Sequence, residues 1–222
     1  MKCFILAAGF GKRMGDLTAN LPKPLLPYKD RTLLDHSIDF AAQFGIKEFI
    51  VNTHYLANKI HDHLKNYSKY KFHISFEPEI LGTGGGIKTG ISGIIRPDEL
   101  FLSINPDVLL SANPLDLQKT IFDYSGDCLL FLSKPENKKE YTTLDLQDGK
   151  VYFRDGEFYY IGMSLLRGKI LKEIPMNSFY DLALVFKSLS QENRLDGMIF
   201  PGEAIDFGDK EKYSKLTEKK LN

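Results

Sequence analysis

Leu6-Ala7-Ala8-Gly9-Phe10-Gly11-Lys12-Arg13-Met14, followed by Pro22-Lys23-Pro24-Leu25, is the stretch on which the chain turns. It grows out of Cys3-Phe4-Ile5-Leu6, an unbroken apolar run of the kind that forms a strand buried on both faces. The run then gives way to small residues and two glycines. Gly9 and Gly11, lacking Cβ atoms, can take positive φ and let the backbone approach a ligand, and successive N–H groups in such a loop form an anion-binding concavity. Arg13 adds a forked, permanently charged donor suited to phosphate oxygens, and Lys23 a second cation. Two familiar phosphate loops are excluded. Met14 stands where G-x-G-x-x-G needs its third glycine, and Pro22 and Pro24 interrupt the region where its helix should run. Gly11-Lys12 is followed by Arg13 rather than Ser or Thr, so this is not a P-loop.

Outward from the loop, strand and helix patterns alternate. Thr32–Phe44 has helical spacing and stops at Gly45; Glu48–Thr53 reads as a strand, Leu56–Leu64 as a short amphipathic helix and Phe72–Phe76 as a third strand. That order predicts a parallel sheet with right-handed crossovers. Gly82-Thr83-Gly84-Gly85-Gly86 opens a helical pattern that ends before Pro97. So many glycines cost backbone entropy, and the surplus suggests a flat backbone against which something packs. Leu100–Asn105 is a buried strand ending in Pro106-Asp107, which puts Asp107 beyond a strand's carboxyl end, where open α/β sheets bind ligands. The alternative is an unliganded Asp107 that caps the helix expected from Asn113 onward. Cys128–Leu132 is a further buried strand. Tyr141–Leu146, Lys150–Arg154 and Phe158–Leu166 then read as an antiparallel meander, and Ser178–Leu189 returns to helical period. Lys210–Lys220 is expected as a solvated helix. His61 and His63 are too closely spaced to share a helix face and are expected at the surface.

Length and composition bound the function. The 222 residues suit one α/β domain. Twenty-nine basic residues balance 29 acidic ones, which argues against a general nucleic-acid binder but leaves room for a local anion pocket. No run reaches the length of a membrane span, and the first residues lead into a strand without a signal-like segment. Cys3 and Cys128 lie in apolar strands, so reduced thiols and a cytoplasmic setting are expected.

Leu6-Ala7-Ala8-Gly9-x-Gly11-x-Arg13-Met14 with Pro22-Lys23-Pro24-Leu25 resembles the split signature of the sugar-1-phosphate nucleotidyltransferases. Leu81–Gly86 resembles that family's nucleobase and sugar segment, Asn105-Pro106-Asp107 its N-x-D turn, and Ile205-Asp206-Phe207-Gly208 its terminal aromatic-x-D-V-G motif. Gly162 resembles the glycine before its late sugar-side strand. Gly15-Asp16, Pro106 and Asp209-Lys210 depart from the pattern.

The resemblance implies a Rossmann-like three-layer α/β sandwich of the GT-A type, with a mixed, mostly parallel sheet and a small antiparallel meander. Residues 1–110 would form the nucleotide half and 111–222 the sugar-phosphate half of one domain. Arg13, Lys23 and Asp107 are expected to be catalytic. Leu6, Ala7, Ala8, Gly9, Gly11, Lys12, Arg13, Glu77, Gly82, Thr83 and Gly84 would bind the nucleotide, and Gly85, Asn105 and Gly162 the sugar phosphate. Asp107 and Asp206 would hold Mg²⁺. The expected partners are a nucleoside triphosphate and a sugar 1-phosphate, with no nucleic acid and no membrane, in a monomer or homodimer. Asn52–Ala57 and the T-G-G-G segment bring it nearest to short N-acetylmuramate-1-phosphate uridylyltransferases, so UTP is the favoured donor. Glu77, an acceptor-only side chain, also suits the adjacent N–H donors of guanine, keeping open a guanylyltransferase for mannose- or heptose-type 1-phosphates. A nucleotide-binding or regulatory relative without catalysis is the reading of a different class. Mg²⁺-dependent pyrophosphate release separates it from an enzyme.

Overall fold

Alternating buried runs and amphipathic helices fold into one nine-stranded sheet covered on both faces, in a computed structural model that describes residues 1–218. Its first half is parallel. β1 (Cys3–Leu6), β4 (Glu48–Thr53), β5 (Lys71–Phe76) and β6 (Leu100–Ile104) lie in the order β5-β4-β1-β6. All four run the same way, so their carboxyl ends open on one edge. The hairpin β2 (Pro27–Tyr28) and β3 (Arg31–Thr32) intervenes after the glycine loop. Thr32 and Asp35 then cap α1 (Leu33–Ala42) reciprocally: the Thr32 hydroxyl accepts from the Asp35 N–H and the Asp35 carboxylate from the Thr32 N–H.

On one face α1, α2 (Ala57–Leu64) and α4 (Pro114–Asp123) bury Leu34, Ile38, Ile60, Leu64, Leu117 and Ile121 against the sheet. On the other face α3 (Gly82–Gly90) and α5 (Leu182–Gln191) bury Ile87, Ile91, Leu182, Val185, Phe186 and Leu189. Cys3 and Cys128 are separate free thiols in these two cores, and burial raises the pKa of both.

The second half of the sheet departs from the simple meander. β8 (Cys128–Ser133), β9 (Asp145–Gln147), β10 (Lys150–Tyr152) and β11 (Tyr159–Arg167) do not stay in chain order. β9 and β10 form a hairpin at the sheet edge, while β11 runs antiparallel between β6 and β8. Its unbroken burial from Ile161 to Leu166 is what that central place demands. β12 (Leu195–Ile199), which carries no strong strand pattern, pairs in parallel with β8.

A second sheet bears on the site. β7 (Val108–Ala112) and β13 (Gly202–Asp206) pair antiparallel, with Asp206 opposite Val108. This brings the Asp107 and Asp206 segments together, and the Phe207 N–H donates to the Asp107 carbonyl at 2.8 Å. α6 (Lys210–Glu218) follows, and Met14, Leu26, Tyr28, Leu33, Phe207 and Tyr213 pack as a small third core beneath the loop. Lys219 and Lys220, the end of the expected basic helix, lie outside the described residues.

Candidate active site

The carboxyl ends of β1, β5 and β6 meet at a cleft of about 330 Å³. Leu6, Ala8, Gly9, Gly11, Lys12, Arg13, Lys23, Asn52, Glu77, Gly82, Thr83, Asn105, Pro106, Asp107 and Gly208 line it. Gly11 has φ 65°, whereas Gly9 is not left-handed and faces open space where a Cβ would stand. Lys12 and Arg13 are exposed at the mouth, and among the described residues neither forms an ion pair. Lys23 is different. It is buried, its Nζ lies 2.6 Å from Asp107 Oδ2, and it also donates to the Gly208 carbonyl at 3.2 Å. The Asn105-Pro106-Asp107 turn closes through the Val108 N–H on the Asn105 carbonyl, a geometry that accepts proline at its second position.

Several expected residues stand elsewhere. Gly84 and Gly85 do not line the cleft. Residues 178–181 cross them as a strap, and the Tyr180 carbonyl accepts from the N–H groups of Gly84 (2.8 Å) and Gly85 (3.1 Å). A Cβ at Gly85 would collide with the Ser178 carbonyl, so these glycines admit the chain's own backbone. The glycine segment is itself the start of α3 rather than a loop before it. Gly162 lies behind Asn105: it has φ 80°, a Cβ there would sit 2.9 Å from Asn105 Cβ, and its carbonyl accepts the Asn105 N–H. It therefore supports Asn105 from below. Ala7 is buried and its N–H is taken by Asn52 Oδ1. Glu77 is no solvated strand-end acid: it is 1% exposed and accepts from Asn52 Nδ2 (2.7 Å) and the Leu81 N–H (2.9 Å).

Asp206 does not line the cleft. Its Oδ2 is held by Tyr141 (3.0 Å) and by Lys212 Nζ (3.1 Å), which also reaches Glu140. Burial alone would lower the Lys212 pKa, but its bonds to Tyr141, Glu140 and Asp206 outweigh that and hold it well above the ordinary lysine value. Among the described residues no group of three or more His, Cys, Asp or Glu side chains converges on a metal position. Asp107 and Asp206 nevertheless each keep one carboxylate oxygen without a hydrogen-bond partner among the described residues. Two such oxygens suit Mg²⁺, which takes few protein carboxylates and completes its shell with phosphate and water.

The departures from the family signature compensate one another. Asp16 pairs with Lys210 at 2.6 Å, which lowers the Asp16 pKa, and Asp209 accepts the Lys212 N–H at 2.9 Å at the start of α6.

A second chamber, of about 360 Å³, adjoins the first and shares Leu6, Thr83 and Asn105 with it. Leu130, Leu144, Phe153, Tyr159, Tyr160 and Phe186 make it mainly apolar, with Lys187 and Asp181 also lining it. Sequence reading missed this chamber, together with Asn52, Tyr141 and Lys212. Apolar periodicity on α5 marked the helix but not the surface it lends to a cavity. The Thr83 hydroxyl ties the chambers together, accepting the Leu182 N–H at 3.0 Å where α5 begins.

A family model described as nucleotidyl transferase matches residues 2–160. The chain belongs to the sugar-1-phosphate nucleotidyltransferase family. It is 28% identical to the N-acetylmuramate alpha-1-phosphate uridylyltransferase of Neisseria meningitidis, over 94% of this chain and 93% of that one. It is also 28% identical to the D-glycero-alpha-D-manno-heptose 1-phosphate guanylyltransferase of Campylobacter jejuni, over 96% and 97%. It spans only about 63% of the length of the rice mannose-1-phosphate guanylyltransferases that it matches. HddC of Yersinia pseudotuberculosis, solved with GMP-PN, shares the fold at a TM-score of 0.79 and 24% identity, covering 98% of each chain. No helix among the described residues is long and apolar enough to cross a membrane.

Proposed function

We propose that the chain transfers a uridylyl group from UTP to a sugar 1-phosphate of the N-acetylmuramate type, releasing pyrophosphate. The observation that carries the transfer is that Arg13, Lys23 and Asp107 share one cleft with the glycine loop. A phosphate oxygen of the sugar attacks the α-phosphorus in line, the bond to the β-phosphate breaks, and pyrophosphate leaves with the electron pair. No proton needs to move, so positioning and charge neutralisation are the whole task. Lys12 and Arg13, exposed and in no ion pair among the described residues, would grip the triphosphate. Lys23 would bring the two phosphates together. Asp107 and Asp206 would hold Mg²⁺, which when bound neutralises charge on the phosphates.

Two features support the finer choice. With the Glu77 carboxylate engaged by Asn52 and Leu81, the groups left at the base end are the N–H donors of Gly82 and Thr83, which have no acceptor among the described residues. Donors suit the two carbonyls of uracil. The second chamber suits a sugar carrying apolar groups and a carboxylate, with Lys187 for the charge. Guanylyl transfer to a heptose-type 1-phosphate is the second reading, favoured by the lone pairs that remain on Glu77. The same proposal takes residues 1–110 as the nucleotide half and 111–222 as the sugar half of a cytoplasmic monomer or homodimer.

Thermal unfolding with each of UTP, GTP, CTP, ATP and dTTP, with and without Mg²⁺, tests this. A nucleotide at a hundred times its Kd adds about 2.7 kcal/mol, a rise of roughly 2–4 °C. UTP should give the largest rise. A GTP preference would select the second reading, and no shift with any nucleotide would overturn both.

A further inference from the structure

Asn52 is the penultimate residue of β4, is 2% exposed, and spends both ends of its amide inside the protein. Its Oδ1 accepts the Ala7 N–H at 2.8 Å, just before the glycine loop. Its Nδ2 donates to Glu77 Oε1 at 2.7 Å, and Glu77 Oε2 accepts the Leu81 N–H at 2.9 Å, where α3 begins. One unbroken chain of hydrogen bonds therefore runs from the phosphate loop to the turn that presents Gly82 and Thr83. Gly86 seals it from the helix side. A Cβ there would lie 2.5 Å from Glu77 Oε1 and 2.8 Å from Asn52 Nδ2.

We propose that Asn52 and Glu77 are positioning residues that fix the distance between the phosphate loop and the base-binding turn, so that one nucleotide engages both. The inference rests on the reading of this cleft as a nucleoside triphosphate site. The polarity of the bridge is determined. Ala7 N–H needs an acceptor, Leu81 N–H needs an acceptor, and the link between them needs one donor and one acceptor. An amide at 52 with a carboxylate at 77 meets this, and so does a carboxylate at 52 with an amide at 77. Two carboxylates do not: both groups would accept, and like charges would face each other.

The test is steady-state pyrophosphate release and calorimetric UTP and GTP binding for the wild type, Asn52→Asp, Glu77→Gln and the double variant Asn52→Asp/Glu77→Gln. Breaking a buried polar link of this kind should raise the nucleotide KM and Kd about 10- to 100-fold for Asn52→Asp, with a smaller change in kcat. The double variant, with the polarity exchanged, should recover most of that loss. A purely structural bridge would lower Tm and leave the KM of the folded protein unchanged. If Asn52→Asp does not fold, Gly86→Ala breaks the link from the other side and should raise KM in the same way. Asn52→Asp folded with a wild-type KM, or a double variant no better than Asn52→Asp, would overturn the inference. A wild type that binds no nucleotide would overturn the nucleotide-site reading, and the inference with it.

Discussion

Two lysine–aspartate pairs flank the glycine loop, each closing at 2.6 Å, and their surroundings make them different devices. In Lys23–Asp107 the lysine side chain is 11% exposed and the aspartate 27%, and both line the cleft. In Lys210–Asp16 the lysine side chain is 51% exposed and the aspartate 75%, and neither residue lines it. Water screens the outer pair, which holds the first turn of α6 near the loop at little energetic gain. The inner pair is poorly screened, so each charge depends on the other. Distance alone would rank them equal; burial separates a mutually dependent pair in the cleft from a surface tether.

Breaking the inner pair should have the largest effect. Lys23→Ala or Asp107→Ala is expected to lower kcat about 100- to 1,000-fold in a pyrophosphate-release assay, with circular dichroism unchanged. Near-normal turnover in either variant would remove these residues from the chemistry.

Asp35 extends the comparison to a carboxylate away from the cleft. Burial would raise its pKa, but hydrogen bonds from Tyr67, His63 and Thr32 outweigh burial and hold it at about 2. A depressed carboxylate stabilises the fold above its unfolded pKa near 3.8 and loses that contribution as pH falls through about 2. Asp35→Asn should therefore cost roughly 2 kcal/mol at pH 7 in urea unfolding, with the difference from wild type shrinking between about pH 4 and 2. A difference that stays constant over that range would show that the charge is not what matters. A smaller effect is expected in the second chamber. Lys187→Ala should raise the KM for a carboxylate-bearing sugar 1-phosphate about fivefold and leave the nucleotide KM unchanged. The least is expected from the outer pair: Lys210→Ala should change stability by no more than about 0.5 kcal/mol and leave kcat within twofold.

What could be read in the sequence follows the range of the interactions. The β1 loop, Lys23 and the Asp107 turn announce themselves through neighbours in the chain, and the first five alternating elements follow from local periodicity. Three features depend on distant partners. β11 entered the middle of the sheet because its buried run suits a central strand, but a run of that kind does not name its neighbours. The pairing of β7 with β13, which carries Asp206 toward Asp107, rests on two short strands about ninety residues apart. The glycines of α3 gave a correct signal of close packing, yet only the fold shows that the object packed against Gly84 and Gly85 is the 178–181 strap. His63 was expected at the surface for the same reason: its partner, Asp35, belongs to another helix. Asp16 and Lys210, each an oddity in its own motif, become intelligible only as a pair.

Nucleotidyl transfer by this protein is decided by pyrophosphate release from the purified protein with Mg²⁺, pairing UTP with N-acetylmuramate 1-phosphate and GTP with mannose and heptose 1-phosphates. Release should require a sugar 1-phosphate, match the nucleotide-sugar formed mole for mole, be greatest for the UTP pair and fall at least a hundredfold in Lys23→Ala. No release from a folded protein with any of these pairs, or release unaffected by Lys23→Ala, would contradict it.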